Sequence, residues 1–378
     1  MEGLKNKERV AWEAAEEFAV SGKILSVKYY PEGNINDTFF VEYSLPDKVE
    51  KIVLQRVNTK VFTRPRVVMK NMRLVTDYII KKIAKEDIEG RWHCPGIIKT
   101  KKGKDFFENS IGFWRALTFI DNAVTLNKVT NKNQAYQAGT VLGWFHQITS
   151  DLKTEKLGNP LPGYHIPSNY LKKYTQAKKT KLGKKKLTEK KFAKECADFI
   201  EKRIKFYQSF EKGSIYRKSS KRIGHGDLKA TNIMIEGETG RGVGLIDLDT
   251  IAVRPLYIDF GDLLRGACNS LGEETREFNE IKFNLNFYKA IIIGYMEKAS
   301  SFIAEPDKDF LPLSGWFLAF EHVVRFFGDY VAGDVYFKIR YPDNNLNRAV
   351  VQMRLVESIE SQMDKLCQVL RVKKVFEI

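Results

Sequence analysis

The stretch H-G-D-L-K-A-T-N-I-M-I, His225–Ile235, and the V-G-L-I-D-L-D that follows it at Val243–Asp249 decide how the rest of the chain is read. Two short apolar runs, Ile233–Ile235 and Val243–Ile246, flank a polar, glycine-rich segment from Glu236 to Gly242. That pattern predicts a β-hairpin with an irregular loop. Asp227 and Asn232 come just before the first strand, and Asp247 and Asp249 end the second. An antiparallel hairpin brings its two open ends together, so a carboxylate, a carboxamide and a second carboxylate are expected to converge. Such a set of oxygen donors suits Mg²⁺ and can orient a hydroxyl for attack on a phosphate.

The spacing adds weight. Asp227, four intervening residues, Asn232 and then Asp247 at the end of the next strand follow the protein-kinase order of D-x-x-x-x-N and a metal-binding Asp. In that scheme Asp227 accepts the proton of the attacking hydroxyl, and Asn232 and Asp247 hold the metal that bridges the phosphates. Each piece alone is weak. Asn232 by itself reads as a turn residue, and Asp227 as a cap. A His-Gly-Asp, the D-x4-N, two apolar strands and a second Asp in this order point to phosphoryl transfer.

The composition is compatible with such an enzyme. The chain has 378 residues, 43% hydrophobic and 12% aromatic, enough for a large core and two lobes. Cys94, Cys196, Cys268 and Cys367 lie far apart with no C-x2-C spacing, so they are expected to be ordinary buried thiols in a reducing compartment. The first ten residues lack the apolar run of a signal peptide, and the window around Ala290–Tyr295 is too short to span a bilayer. A soluble cytoplasmic protein, with no membrane partner, is expected. The net charge of +16 is concentrated in Lys172–Lys191. Tyr174 is the only aromatic there, too few for a single-strand stacking platform. A solvated basic segment between helices is expected, with no nucleic-acid partner, although salt-dependent binding to DNA or RNA is the test of the alternative.

The N-terminal third reads as a small sheet. An amphipathic helix is expected near Glu8–Val20, then strands at Ile24–Tyr30 and Phe39–Tyr43. The turn between them, P-E-G-N-I-N-D-T, contains Gly33 and the polar Asn34, Asn36, Asp37 and Thr38, which suit a cover over nucleotide phosphates. The third strand, Lys51–Val57, places Gln55 or Arg56 where a kinase carries its phosphate-binding lysine. The helix Pro65–Ile83 contains no Glu, so the Lys–Glu pair of kinases is missing at both ends. Apolar segments at Ile97–Ile98, Asp105–Phe107 and Ile111–Ala116 complete an antiparallel sheet, and Leu117–Asn122 leaves it as a hinge. Phe119 and Ile120 are the candidates there for reading the adenine edge through backbone groups.

Beyond the hinge the pattern is helical. Helices are expected at Gln134–Thr149, Lys190–Phe210, Glu273–Lys298, Leu313–Val331 and Asn345–Leu370. His146 reads as a packed or helix-surface residue, and the loop Leu161–Pro167 places Tyr164 and His165 where they can line a pocket. Asp259 is placed to cap a helix beginning at Phe260, with Asp262 in its first turn, both supporting the catalytic segment. Arg325 and Asp329, four apart, read by themselves as a surface ion pair worth about 0.3–0.5 kcal/mol. Gly333–Lys338 looks like a turn at a pocket edge.

With these residues in hand, the chain resembles the aminoglycoside phosphotransferase–choline kinase superfamily, through H-G-D-L-K-A-T-N-I and L-I-D. Within it, the chain is most similar to the N-acetylhexosamine 1-kinases. That closer likeness rests on G-N-I-N-D-T-F, L-Q-R-V-N-T-K-V-F, L-I-D-L-D-T, D-F-G-D, R-F-F-G-D-Y-V-A-G-D-V-Y-F-K, N-L-N-R-A and V-E-S-I-E. Gln55 then looks like the subgroup's own substitution for a basic residue. Gly226, Ala230 and the lysine-rich stretch depart from the subgroup. The resemblance implies ATP- and Mg²⁺-dependent phosphorylation of a sugar hydroxyl, the anomeric one of GlcNAc or GalNAc. It implies Asp227 as base, Asn232 and Asp247 as metal ligands, and Lys229 against the transferring phosphate. Arg325 and Tyr336, with Asp249 as a further candidate, are implied to bind the sugar or its nascent phosphate.

The expected architecture is therefore α+β, a two-lobed protein-kinase-like fold. A small antiparallel-sheet lobe would span residues 1–117, a hinge 118–120 and a mostly helical lobe 121–378, with ATP between the lobes. A monomer or homodimer acting on a small-molecule sugar is expected. Rivals are the same chemistry on another sugar, an amino alcohol or an aminoglycoside, and a nucleotide-binding pseudokinase. The intact Asp227–Asn232–Asp247 set argues against the last.

Overall fold

The computed structural model describes residues 2–31, 35–86, 91–213 and 218–373. The chain divides into two compact units, one of Met1–Ala123, Asp151–Pro162 and Val243–Ala252, the other of Val124–Ser150, Gly163–Gly242 and Val253–Ile378. It is a mixed α/β structure, antiparallel sheet in its N-terminal region and helical in its C-terminal region.

The first unit is built on an antiparallel sheet in the order Lys23–Tyr30, Asp37–Ser44, Val49–Val57, Gly112–Thr118 and Ile97–Ile98, with Phe107–Asn109 also paired to Gly112–Thr118. Alternation along the strands separates two faces. Phe39, Val41, Ile52, Leu54, Trp114 and Ala116 share one face and pack with Ala11, Ala14 and Ala15 of the helix Glu2–Ala15. Thr38, Gln55 and Arg115 are opposite one another on neighbouring strands and belong to the other face. That register puts Gln55 and Arg56 on opposite faces. Gln55 stands in the polar row, while Arg56 is on the Leu54 face against Asp37. The helix Pro65–Lys85 follows, with Val68, Met69, Met72, Val75, Ile79 and Ile83 buried as the periodicity predicts.

In the second unit, helices Lys132–Ile148 and Leu285–Ala299 cross at backbone contact distance. A Cβ at Gly139 would lie 2.2 Å from the Ile291 carbonyl oxygen, and one at Gly294 2.2 Å from that of Tyr136. The helix Glu305–Ala332 is buried along most of its length and packs against helices Pro167–Lys179, Tyr257–Ala267 and Asn344–Glu360. The strand Ile233–Glu236 is followed by a tight turn, closed by the Glu236 N–H donating to the Arg241 carbonyl at 2.9 Å.

Several expected elements differ. The lysine-rich stretch is itself helical, as Pro167–Lys179 and Lys181–Thr188, because Leu171, Tyr174 and Ala177 give it a buried stripe and Thr180 caps the second helix by accepting from the Gly183 N–H. Glu273–Lys298 is not one helix. Asn284 accepts hydrogen bonds from the N–H groups of Asn286 and Phe287 and starts a helix at Leu285, leaving a 3₁₀ turn at Phe278–Glu280. The C-terminal helix divides into Asn344–Glu360 and Met363–Leu370. Among the described residues, no helix is long and apolar enough to cross a membrane.

Candidate active site

The segment Gly224-His225-Gly226-Asp227 is fixed by buried polar groups of the second unit. The N–H groups of His225 and Gly226 donate to the two carboxylate oxygens of Asp259, at 2.6 and 2.7 Å. Asp259 is therefore not an N-cap. The helix begins two residues earlier, at Tyr257, and the carboxylate of Asp259 points its oxygens at the loop. His146 lies 3.2 Å from Asp259 Oδ2 through Nε2 and 3.1 Å from the Tyr295 hydroxyl through Nδ1. Burial pushes the Asp259 carboxyl up, but the bond to His146 and nearby cationic groups outweigh it and hold the group down at about 2. From the other side, His165 bridges Glu321 Oε1 at 2.7 Å and the Gly226 carbonyl at 2.8 Å. His165 is thus a buried clamp on the loop.

These contacts deliver Asp227 with its side chain a quarter exposed. Asn232, in a short 3₁₀ turn Ala230–Asn232, donates through Nδ2 to the Asp227 carbonyl at 2.7 Å. Its amide oxygen remains the atom suited to a hard cation. Lys229 Nζ lies 3.0 Å from Asp227 Oδ2. Burial pushes the Asp227 carboxyl up, yet Lys229, helped by His225 and Arg265, brings it below the usual carboxylate range. A carboxylate kept ionised and partly open to solvent can accept a proton. Asp262, in contrast, is pushed up by burial and by the field of Asp227, against the pull of its partner Arg265 at 2.8 Å.

Two arginines stand close to this loop. Arg254 lies over Gly224 and Gly226, where added Cβ atoms would come within 2.5 Å of its Cγ and of its guanidinium carbon. Gly226 also has φ +85°. The Gly-His-Gly pattern is therefore a trough for the Arg254 side chain. Its guanidinium lies 5.9 Å from the Tyr164 ring centroid, and that of Arg325 lies 5.1 Å from the same ring. Arg325 also stacks on Tyr170 and Phe337 and lies 3.7 Å from Glu321. It does not pair with Asp329, as the spacing of the two suggested. The carboxylate of Asp329 accepts instead from the N–H groups of Val335, Tyr336 and Phe337 at 2.8–3.0 Å. That shapes the turn after the helix and presents Tyr336 half exposed.

The first unit holds a second cluster. Gln55 accepts from Nε and Nη2 of Arg115 at 2.9 and 2.7 Å and donates to the Thr38 hydroxyl at 3.1 Å. Arg115 is fully buried and forms an ion pair with Asp249. Asn36 donates to Asp249 Oδ2 at 2.7 Å and accepts from the Asn58 N–H at 3.0 Å. Asp249 thus has both oxygens engaged in the interior. Asp37 bonds Arg56 and Lys7, which outweigh burial and lower its carboxyl. Phe119 meets Phe40 edge-on at 5.7 Å, and Ile120 is buried. Gly33 and Asn34 lie outside the described residues.

Asp247 has a left-handed backbone, φ 61° and ψ 56°, and opens the 3₁₀ turn Leu248–Thr250. Asn232 and Asp247, one in each unit, each present a hard oxygen donor of the kind Mg²⁺ takes. Among the described residues, no group of three or more His, Cys, Asp and Glu side chains forms a metal cage. Magnesium in phosphate chemistry ordinarily uses one or two carboxylates together with the substrate phosphates.

Sequence patterns miss Arg115, Arg254 and Glu321 entirely. The only available signal was weak: an arginine inside an apolar strand, and two glycines flanking His225.

The fold is that of known small-molecule kinases. An aminoglycoside phosphotransferase from Alicyclobacillus acidocaldarius subsp. acidocaldarius DSM 446 superimposes with TM-score 0.58 at 11% identity, covering 95% of this chain and 96% of that one. A choline/ethanolamine kinase family protein from Mesorhizobium loti gives TM-score 0.57 at 12% identity, covering 97% and 99%. The AMP-bound complex of spectinomycin phosphotransferase gives 0.50 at 14% identity, covering 91% and 97%. The sequence profile of the phosphotransferase enzyme family APH matches residues 26–284, and the chain belongs to that family.

Proposed function

We propose that this phosphotransferase moves the γ-phosphoryl group of ATP to a hydroxyl of a small neutral sugar, with the anomeric hydroxyl of an N-acetylhexosamine as the leading acceptor. Asp227 takes the proton of that hydroxyl, the oxygen bonds to the γ-phosphorus, and the bond to the departing ADP oxygen breaks. Asn232 and Asp247 are the residues that would hold Mg²⁺, which when bound neutralises charge on the phosphates. Lys229, released from Asp227, would meet the transferring phosphoryl group. Asn36, Asp37, Thr38, Gln55 and the backbone at Phe119 and Ile120 form the nucleotide side. The AMP in the complex of spectinomycin phosphotransferase supports nucleotide use.

The observation that carries the acceptor class is the pair of guanidinium groups, Arg254 and Arg325, on the Tyr164 ring beside the base loop. Amino alcohols and aminoglycosides carry ammonium groups, and like charges in a poorly solvated site repel strongly. A neutral sugar whose product becomes anionic gains from the same arginines. Arg325 and Tyr336 would contact the sugar or its new phosphate. Asp249, buried and doubly engaged, is assigned to positioning.

The test is ADP release with GlcNAc, GalNAc, other free sugars, choline, ethanolamine and an aminoglycoside as acceptors. Turnover with an N-acetylhexosamine, lost when the anomeric hydroxyl is blocked as a methyl glycoside, is the expected result. Preferred turnover of choline or an aminoglycoside would overturn the acceptor class.

A further inference from the structure

The third strand has Gln55 in its polar row and the helix Pro65–Lys85 contains no Glu, so these two elements do not form the Lys–Glu pair expected of a kinase. Gln55 does not substitute for the missing charge. Its amide oxygen is taken twice by Arg115 and its amide nitrogen faces the Thr38 hydroxyl. The cation stands one strand away, directly opposite Gln55 in register, as Arg115. Its partner carboxylate is Asp249, two residues past Asp247. Both side chains are almost wholly buried, at 0% and 2% exposure.

This arrangement reaches Asp247 through very little chain. Asp247 is a non-glycine residue at φ 61°, a left-handed conformation that aspartate adopts more readily than most L residues but that remains uncommon. The turn that follows is tied on both sides. Asp249 is bonded by Arg115 and Asn36, and the Ile251 carbonyl accepts from Asn71 Nδ2 at 2.8 Å. Asn71 is itself fixed by accepting from the Gly158 N–H at 2.9 Å. A buried charge pair tolerates little movement, because separating the charges in a low-dielectric interior is unfavourable. The side chain of Asp247 is therefore presented from a rigid turn rather than from a mobile loop.

We infer that Arg115 is a positioning residue for metal binding: through its ion pair with Asp249 it sets the left-handed turn that aims Asp247, and so replaces by a different route the Lys–Glu pair that these elements do not form. The inference rests on the assignment of Asp247 as a metal ligand. Gln55 orients the guanidinium, and Asn36 orients the carboxylate. None of these side chains needs to touch the nucleotide for the effect.

Calorimetric binding of a non-hydrolysable ATP analogue, with Mg²⁺ and with EDTA, tests it without turnover. The variants are Arg115→Met, Arg115→Lys, the charge-neutral pair Arg115→Met/Asp249→Asn and, in parallel, Asp247→Asn. The paired variant keeps the experiment informative if Arg115→Met alone does not fold, since it leaves no unpaired buried charge. The expected result is a tenfold or larger weakening of the Mg²⁺-loaded analogue in Arg115→Met or the paired variant, with metal-free binding changed less than threefold. Arg115→Lys should recover part of the loss. A folded variant that binds both forms as the wild type does, or loses both equally, overturns the positioning role. If Asp247→Asn weakens Mg²⁺-loaded binding while the Arg115 variants do not, the inference fails and the metal assignment stands. If Asp247→Asn leaves that binding unchanged, the metal assignment fails and takes the inference with it.

Discussion

Gly226 is the position where a single methyl group should disturb Asp227 most cleanly. Its N–H is committed to Asp259 at 2.7 Å and its carbonyl to His165 at 2.8 Å, so the peptide cannot drift to make room. At φ +85° an alanine costs roughly 1–2 kcal/mol in backbone strain. The new Cβ would also lie 2.5 Å from Cζ and Nη1 of Arg254. Moving a packed arginine head from its trough adds about 1–3 kcal/mol. Gly226→Ala should therefore lose about 2–5 kcal/mol, roughly a 5–15 °C fall in Tm for a unit of this size. Because Asp227 is the next residue, kcat should fall about 10²-fold, as expected for a misplacement of about 1 Å. Differential scanning fluorimetry and a coupled ADP assay read the two effects. Combining Gly226→Ala with Arg254→Ala separates them, since it relieves the contact and leaves the strain. The double variant should regain the packing part of the Tm loss that Gly226→Ala adds. A Gly226→Ala enzyme with Tm within about 1 °C of the wild type and unchanged kcat would refute both the trough and the rigidity of the loop.

Two further outcomes follow from the charges around the loop. Lys229→Ala removes the main group holding the Asp227 carboxyl down, so the acid limb of the kcat/KM profile should move to higher pH; an unmoved limb would mean that Lys229 does not control the base. Asp259, held at about 2 against an ordinary value of 3.8, contributes about 2 kcal/mol of stability. That contribution is complete above about pH 5 and is lost progressively as pH falls through 2. The stability gap between wild type and Asp259→Asn, followed by urea unfolding across that window, should therefore narrow on acidification, and a constant gap would contradict the linkage.

What the sequence made legible follows from the range of the interactions. The strand alternation around Val49–Val57 and the apolar stripe of Pro65–Lys85 are local patterns, and both elements appear where the periodicity put them. So does the strand Ile233–Glu236, with Asp227 and Asn232 just before it. Capping was harder to read. Asn284 and Thr180 start helices inside stretches that looked continuous or solvated, because one side-chain oxygen is enough to set a boundary. The supporting shell of the loop was invisible. Asp259 with His225, His165 with Glu321, and Arg115 with Asp249 join residues 34, 156 and 134 positions apart, and no local spacing marks such pairs. Arg325 and Asp329 show the converse, since helical spacing proposed a pair that each residue leaves for a better partner.

The central claim is that Asp227 is the base of a phosphoryl transfer to a sugar hydroxyl. The direct measurement is the turnover of Asp227→Asn with an N-acetylhexosamine acceptor, alongside its affinity for the nucleotide. Asparagine keeps the shape of the side chain and removes its ability to take a proton. The account predicts a loss of about 10²–10⁴ in kcat with nucleotide affinity retained. An Asp227→Asn enzyme that turns over at the wild-type rate would contradict it.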